Sequence, residues 1–171
     1  MSMNRLTQQV IAEAHKYIGV KEVGHNSGPH IDEWLRRVRQ EPGAPWCAAF
    51  AWCMFDDAIK ALGMTNPFRG SASVFTLFER AHQQHAWWPQ PSPGFLFGID
   101  HGEGKAHCGI VLEVDGDELA TIEGNTNAAG SREGNAVEVK RRKVAVCTLG
   151  YIDPGMLCMG QTCSEEHPEN G

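Results

Sequence analysis

The sequence predicts an α+β domain, with helices first and antiparallel strands second. Apolar residues recur at helical spacing through the first half of the chain, as far as Gln83. From Pro89 onward the period becomes strand-like. Asp115-Gly116-Asp117 then separates two apolar segments and signals a hairpin. Runs of helices followed by runs of strands define the α+β class.

The elements follow in order. Leu6, Val10, Ile11 and Ala14 predict a helix over 4–18, stopped by Gly19. Gly24, Gly28 and Pro29 break the polar stretch that follows. A second helix, 30–39, carries Ile31, Trp34, Leu35 and Val38 on one stripe. The turn Glu41-Pro42-Gly43-Ala44-Pro45 sets the entry of a third helix, 46–62, which is apolar nearly all round and therefore buried. A fourth helix is predicted over 73–83. Strands are predicted over 94–98, 108–114, 119–123, 136–146 and 148–152, with Asp115-Gly116-Asp117 as a three-residue loop.

Length and composition bound the function. The 171 residues suit one domain, read as 1–154, with a tail over 155–171 expected to be flexible at its end. A net charge of −6 argues against a nucleic-acid footprint. The one basic cluster, Lys140-Arg141-Arg142-Lys143, is read as a solvated edge or turn, with attraction of an anionic polymer as the weaker reading. The longest apolar run, 44–55, is too short to span a bilayer, so no membrane insertion is expected. The opening residues lead straight into an amphipathic pattern, without the continuous apolar stretch of a secretory signal. Synthesis in the cytosol is the expectation, and with it reduced thiols. Cys53, Cys108 and Cys147 sit in apolar patterns and read as core residues. Cys158, Cys163 and His167 lack the paired knuckles of a zinc site.

Three stretches carry the chemistry. Pro45-Trp46-Cys47 puts a cysteine at the first turn of the buried helix. His107-Cys108-Gly109-Ile110-Val111 opens one strand of the hairpin, and Glu123-Gly124-Asn125 closes the other. A thiol is only a few per cent ionised at neutral pH, so a cysteine nucleophile needs help. The positive end of a helix and a nearby imidazole both favour the thiolate. Backbone N–H groups at the same helix start can hold an oxyanion. With a three-residue loop, Val114 faces Glu118 and His107 faces Asn125, and Glu123 lies diagonally across on the same face as His107. Gly109 shares that face and is expected to leave room for the Cys47 helix. Either Glu123 or Asn125 could then orient the imidazole. Each stretch alone has a plainer reading: a packing cysteine, a strand-start histidine, a turn. Their order and the shared hairpin make the joint coincidence improbable.

The remaining candidates are weaker. His25 and His30 flank a Gly-rich loop, and His82 and His85 share a helix end, without the spacing of a metal-binding helix. Asn26, Asp32 and Glu33 lack the spacing of a calcium loop and read as turn and cap residues, with a calcium ion on their oxygens as the weaker reading. No cofactor is expected.

The three stretches together resemble the CHAP domains, cysteine, histidine-dependent amidohydrolases and peptidases related to the NlpC-type cell-wall enzymes of the papain-like group. The resemblance spans 16–154, and the approach Asn26-Ser27-Gly28-Pro29-His30-Ile31-Asp32 is similar to that of phage-type members. It implies a papain-like α+β fold and cleavage of an amide bond in bacterial peptidoglycan. Cys47 would be the nucleophile, His107 the base, Glu123 its orienting partner and Asn125 a neighbour of the triad. It further implies a phage endolysin or similar lytic protein, acting on the wall after release or delivery by another system. Alternatives are a secreted antibacterial effector of the same chemistry, a catalytically inactive wall-binding module lined by tryptophans, and a thiol enzyme on a substrate other than the wall.

Overall fold

The computed structural model describes residues 5–126 and 134–159. Helix α1 (Arg5–His15) turns Leu6, Val10 and Ala14 inward. Helix α2 (Pro29–Arg37) begins on a proline, whose fixed φ suits a first helical turn. Asp32 Oδ1 accepts from Ser27 Oγ at 2.9 Å and from the Gly28 N–H at 3.2 Å, folding the approaching chain back onto that turn. Asn26 and Asp32 thus act in the turn and cap. Helix α3 (Cys47–Ala61) is buried without interruption from Cys47 to Asp56, as its all-round apolar pattern requires. Helix α4 (Val74–Gln83) is capped by Ser73 Oγ, which accepts from the Thr76 N–H.

The strands are β1 (Trp87–Trp88), β2 (Leu96–Gly102), β3 (Lys105–Asp115), β4 (Glu118–Thr126), β5 (Ala136–Lys143) and β6 (Gly150–Ile152). They form one sheet in the order β1-β6-β2-β3-β4-β5, with every pair antiparallel. The fold is therefore α+β. The helices cover one face, where the main core lies. A smaller cluster that includes Phe97, Val111, Leu119 and Tyr151 fills the other. Trp34 and Trp46 are fully buried and Trp52 nearly so, so these three tryptophans are core residues and not a surface strip. Among the described residues, no helix is long and apolar enough to cross a membrane.

Three expectations need correction. First, β2 and β3 run longer than predicted, because Glu103 and Gly104 take positive φ (53° and 72°) and close a two-residue hairpin between Gly102 and Lys105. Second, the β3–β4 loop has two residues, not three. Asp115 pairs with Glu118 and Val114 with Leu119, and Gly116 supplies the positive φ of 58° that so tight a turn needs. A bulge at Leu112 then shifts the register, so that Val111 pairs with Thr121 and Ile110 with Ile122. Ile110 opposite Ile122 is also the register that a three-residue loop predicts, so the two departures cancel at that pair.

Third, the packed unit passes the boundary expected at 154. Asp153 Oδ1 accepts from the Gly155 N–H at 2.8 Å and caps a one-turn helix α5 (Pro154–Leu157), and Leu157 and Cys158 are buried in the main core. Cys163 and His167 lie outside the described residues. Among those described, no group of three or more His, Cys, Asp or Glu is placed to hold a metal ion.

Candidate active site

Cys47 is the first residue of α3, preceded by Trp46 in the cap position without a capping side chain. The Trp46 indole is occupied elsewhere: its Nε1 donates to Glu22 Oε1 at 2.8 Å. The first N–H groups of a helix have no acceptor within it. An uncapped start therefore leaves those donors, and the positive end of the helix dipole, at the thiol. Gly124 lets α3 come this close to the sheet. A Cβ there would lie 2.6 Å from the Trp46 ring and 2.9 Å from Phe50 Cβ. Gly109, expected to serve this purpose, instead makes room for Glu123 and Phe97, each within 2.8 Å of a Cβ built on it.

His107 stands near the start of β3, 6.3 Å from Phe97 between ring centroids. Its Nε2 lies 2.7 Å from Glu123 Oε2 on β4. Nδ1 makes no completed hydrogen bond and is the nitrogen left for the Cys47 thiol. Of the two candidate partners, it is Glu123 that the imidazole bonds. Asn125 is buried beside it, with φ 55° in the irregular step between Glu123 and Thr126, and it is not bonded to the imidazole.

Glu123 is fully enclosed and its two oxygens are heavily engaged. Oε1 accepts from Thr121 Oγ1 at 2.7 Å and from Arg142 Nε at 2.5 Å, and Oε2 accepts from Arg142 Nη2 at 2.6 Å. Burial alone would raise its pKa, but Arg142 and His107 overcome that and hold it at about 2. Sequence reading missed Arg142 by treating the 140–143 cluster as solvated. Arg141 and Lys143 are exposed and pair with acids on the sheet edge, while Lys140, as enclosed as Arg142, pairs with Glu138. Arg142 turns inward, because 138, 140 and 142 share one face of β5 and Glu138 pairs with Glu123. That face was unreadable without the β4–β5 register.

The protonation states follow from these contacts. Burial lowers the His107 pKa, but the Cys47 sulfur and the Glu123 carboxylate raise it to about 9. The Cys47 thiol is held well below its ordinary value by the Cys108 thiol, against burial, and by His107. The opposite shifts favour the ionised form of each group beside the other. The other described cysteines go the other way: burial pushes Cys53 and Cys147 up and Cys158 up to about 11, and Cys108 rises through its contact with Cys47. Cys47 is only 4% exposed, yet it opens on a cleft of about 290 Å³ between Pro45, the start of α4 at Ser73 and Val74, and Gly104 and Ala106 of the β2–β3 hairpin. The thiol is therefore sheltered, not sealed.

No family model and no curated protein matches the chain. Among solved structures, the crystal structure of Ly7917 is similar over 85% of this chain and 59% of that one, at 15% identity and a TM-score of 0.50. The structure of Ly7917 with the hydrolyzing product of MDP matches over 86% of this chain and 62% of that one, at 18% identity and a TM-score of 0.41. The chain spans less than two thirds of the length of the structures it matches. At these identities the likeness concerns the fold alone.

Proposed function

We propose that this protein is a papain-like cysteine amidohydrolase of the CHAP type that cleaves an amide bond of bacterial peptidoglycan. One observation carries the reading: His107 is bonded through Nε2 to a buried, ionised Glu123, and its Nδ1 is left to a thiol at an uncapped helix start. A nucleophile, its base and the group that orients the base thus stand in sequence. The cell-wall substrate is supported by the resemblance of the Cys47, His107 and Glu123 segments to CHAP motifs.

In the proposed reaction the Cys47 thiolate attacks the amide carbonyl carbon. The N–H groups of the first turn of α3 hold the oxyanion. The His107 imidazolium gives its Nδ1 proton to the leaving amine as the C–N bond breaks, leaving a thioester on Cys47. Neutral His107 then takes a proton from water, whose oxygen attacks the thioester. The thiolate departs and the imidazolium is restored. Glu123 keeps the ring oriented and its charge favourable throughout, and Arg142 keeps Glu123 ionised.

The test is digestion of purified sacculi by the wild-type protein and by Cys47→Ala, followed by turbidity and by mass spectrometry of the released fragments. New amine and carboxyl termini with the wild type alone are expected. Intact sacculi after wild-type treatment, or equal release by Cys47→Ala, would remove the reading.

A further inference from the structure

A second cavity, of about 550 Å³, neighbours the Cys47 cleft, shares Gln40, Ala72 and Ser73 with it and reaches the C-terminal end of α2 at Arg37. Four arginines line this second cavity: Arg37, Arg39, Arg69 and Arg80. Arg37 is neutralised, pairing with Asp56 and Asp57 at 2.6 Å each. Arg80 Nη1 donates only to the carbonyls of Arg69 and Gly70, at 2.9 and 2.8 Å. Arg39 and Arg69 have no carboxylate partner among the described residues. Three uncompensated guanidiniums therefore gather on one groove of a chain whose net charge is −6.

The groove is also built. Gly70 lies flat on Trp52, where a Cβ would come within 2.7 Å of the ring, and Trp52 Nε1 donates to the Phe68 carbonyl at 2.7 Å. Arg80 clamps the same loop from the other side. Arg39 is held at φ 62°, a left-handed conformation that non-glycine residues rarely adopt.

We infer that this groove is a substrate subsite that binds a free carboxylate on the peptide flanking the scissile amide, between Arg39 and Arg69. The inference rests on the hydrolase reading of Cys47. Guanidinium forks match a carboxylate in two hydrogen bonds. The cross-linking peptides of a bacterial wall carry such carboxylates.

The test measures binding by calorimetry, with Cys47→Ala to prevent turnover. A wall-type tetrapeptide with free carboxylates is compared with the same peptide fully amidated, and with a polyglycerol phosphate. The free acid is expected to bind at least about tenfold more tightly than the amide, a gap of about 1.4 kcal/mol. Adding Arg39→Glu and Arg69→Glu should erase that preference. Should the reversed variant not fold, Arg39→Gln with Arg69→Gln carries the same comparison. Equal affinity for acid and amide, a preference that survives loss of both arginines, or tighter binding of the phosphate polymer would each overturn the inference. Wild-type cleavage of the two peptides is followed in parallel. If neither is cut, the hydrolase reading fails on its own, and the binding arms still decide the groove.

Discussion

Arg142 grips Glu123 side-on, with Nε on one carboxylate oxygen at 2.5 Å and Nη2 on the other at 2.6 Å. The pair turns a buried acid into a permanent anion behind the imidazole. Replacing Arg142 leaves that anion to His107 and Thr121 alone, and losing one partner of a buried pair costs about 3–5 kcal/mol. Arg142→Ala should therefore lower stability by about that amount in urea unfolding and reduce kcat more than KM. Arg142→Lys should recover part of the stability but little of the rate, because one ammonium cannot span both oxygens. Equal kcat in all three proteins would refute a positioning role.

The His107–Glu123 bond predicts a pH profile. With the thiol low and the imidazole at about 9, kcat/KM should stay high until the alkaline side, where loss of the His107 proton ends it. Glu123→Gln removes the carboxylate that favours the imidazolium, while burial still opposes it. The alkaline limb should move to lower pH, with kcat down on the order of 100-fold or more. A limb that stays in place would show that Glu123 does not set the charge of the ring.

Stability should peak between the ordinary pKa values of the two groups. Glu123 is depressed from 4.5 to about 2, so its contribution is complete above 4.5 and is lost as pH falls toward 2. His107 is raised from 6.5 to about 9, so its contribution is complete below 6.5 and is lost as pH rises through 9. Each is worth on the order of 2–3 kcal/mol. Urea midpoints measured from pH 2 to 10 should fall at both ends, and the acid fall should shrink in Glu123→Gln.

Thiol reactivity separates Cys47 from its neighbours. Iodoacetamide near pH 6 should label Cys47 ahead of Cys53, Cys108, Cys147 and Cys158, whose pKa values are all raised. Peptide mapping after brief exposure reads the order. Comparable rates at all five sites would contradict the thiolate–imidazolium pair.

Gly124→Ala tests the seat of α3. Its new methyl group would enter the space of Trp46 and Phe50, so the helix start must shift. A cost of about 1–3 kcal/mol is expected, with a larger loss of activity than the stability change explains. Gly116→Ala, at an exposed turn with open space around it, serves as the control: it strains the turn without touching the site.

Much of the candidate site's geometry is legible in the sequence, for identifiable reasons. Cys47 was marked by an apolar helix beginning just after Pro45, and periodicity places such a start within a residue or so. His107 and Glu123 were joined by a hairpin, where strand pairing follows from local chain alone. The loop length was misjudged, and Leu112 hid the error: nothing in Val111-Leu112-Glu113 announces an extra residue. Arg142 was invisible because its partner lies across a pairing separated by 127–135, a connection whose length sets no register. The groove of Arg39, Arg69 and Arg80 was missed for a similar reason, since three separate segments meet there only after α2, α3 and α4 have packed.

The bulge at Leu112 has a consequence for how this chain tolerates change. Because Leu112 is the extra residue, deleting it would join Val111 to Glu113, whose partners Thr121 and Ala120 are already adjacent, and would leave His107 on its own side. An insertion between 108 and 111 would instead exchange the sides of His107 and its neighbours, because side chains alternate along a strand. The imidazole would then turn away from its carboxylate. Length variants in this strand should therefore divide by sign, the deletion keeping turnover and the insertion losing it.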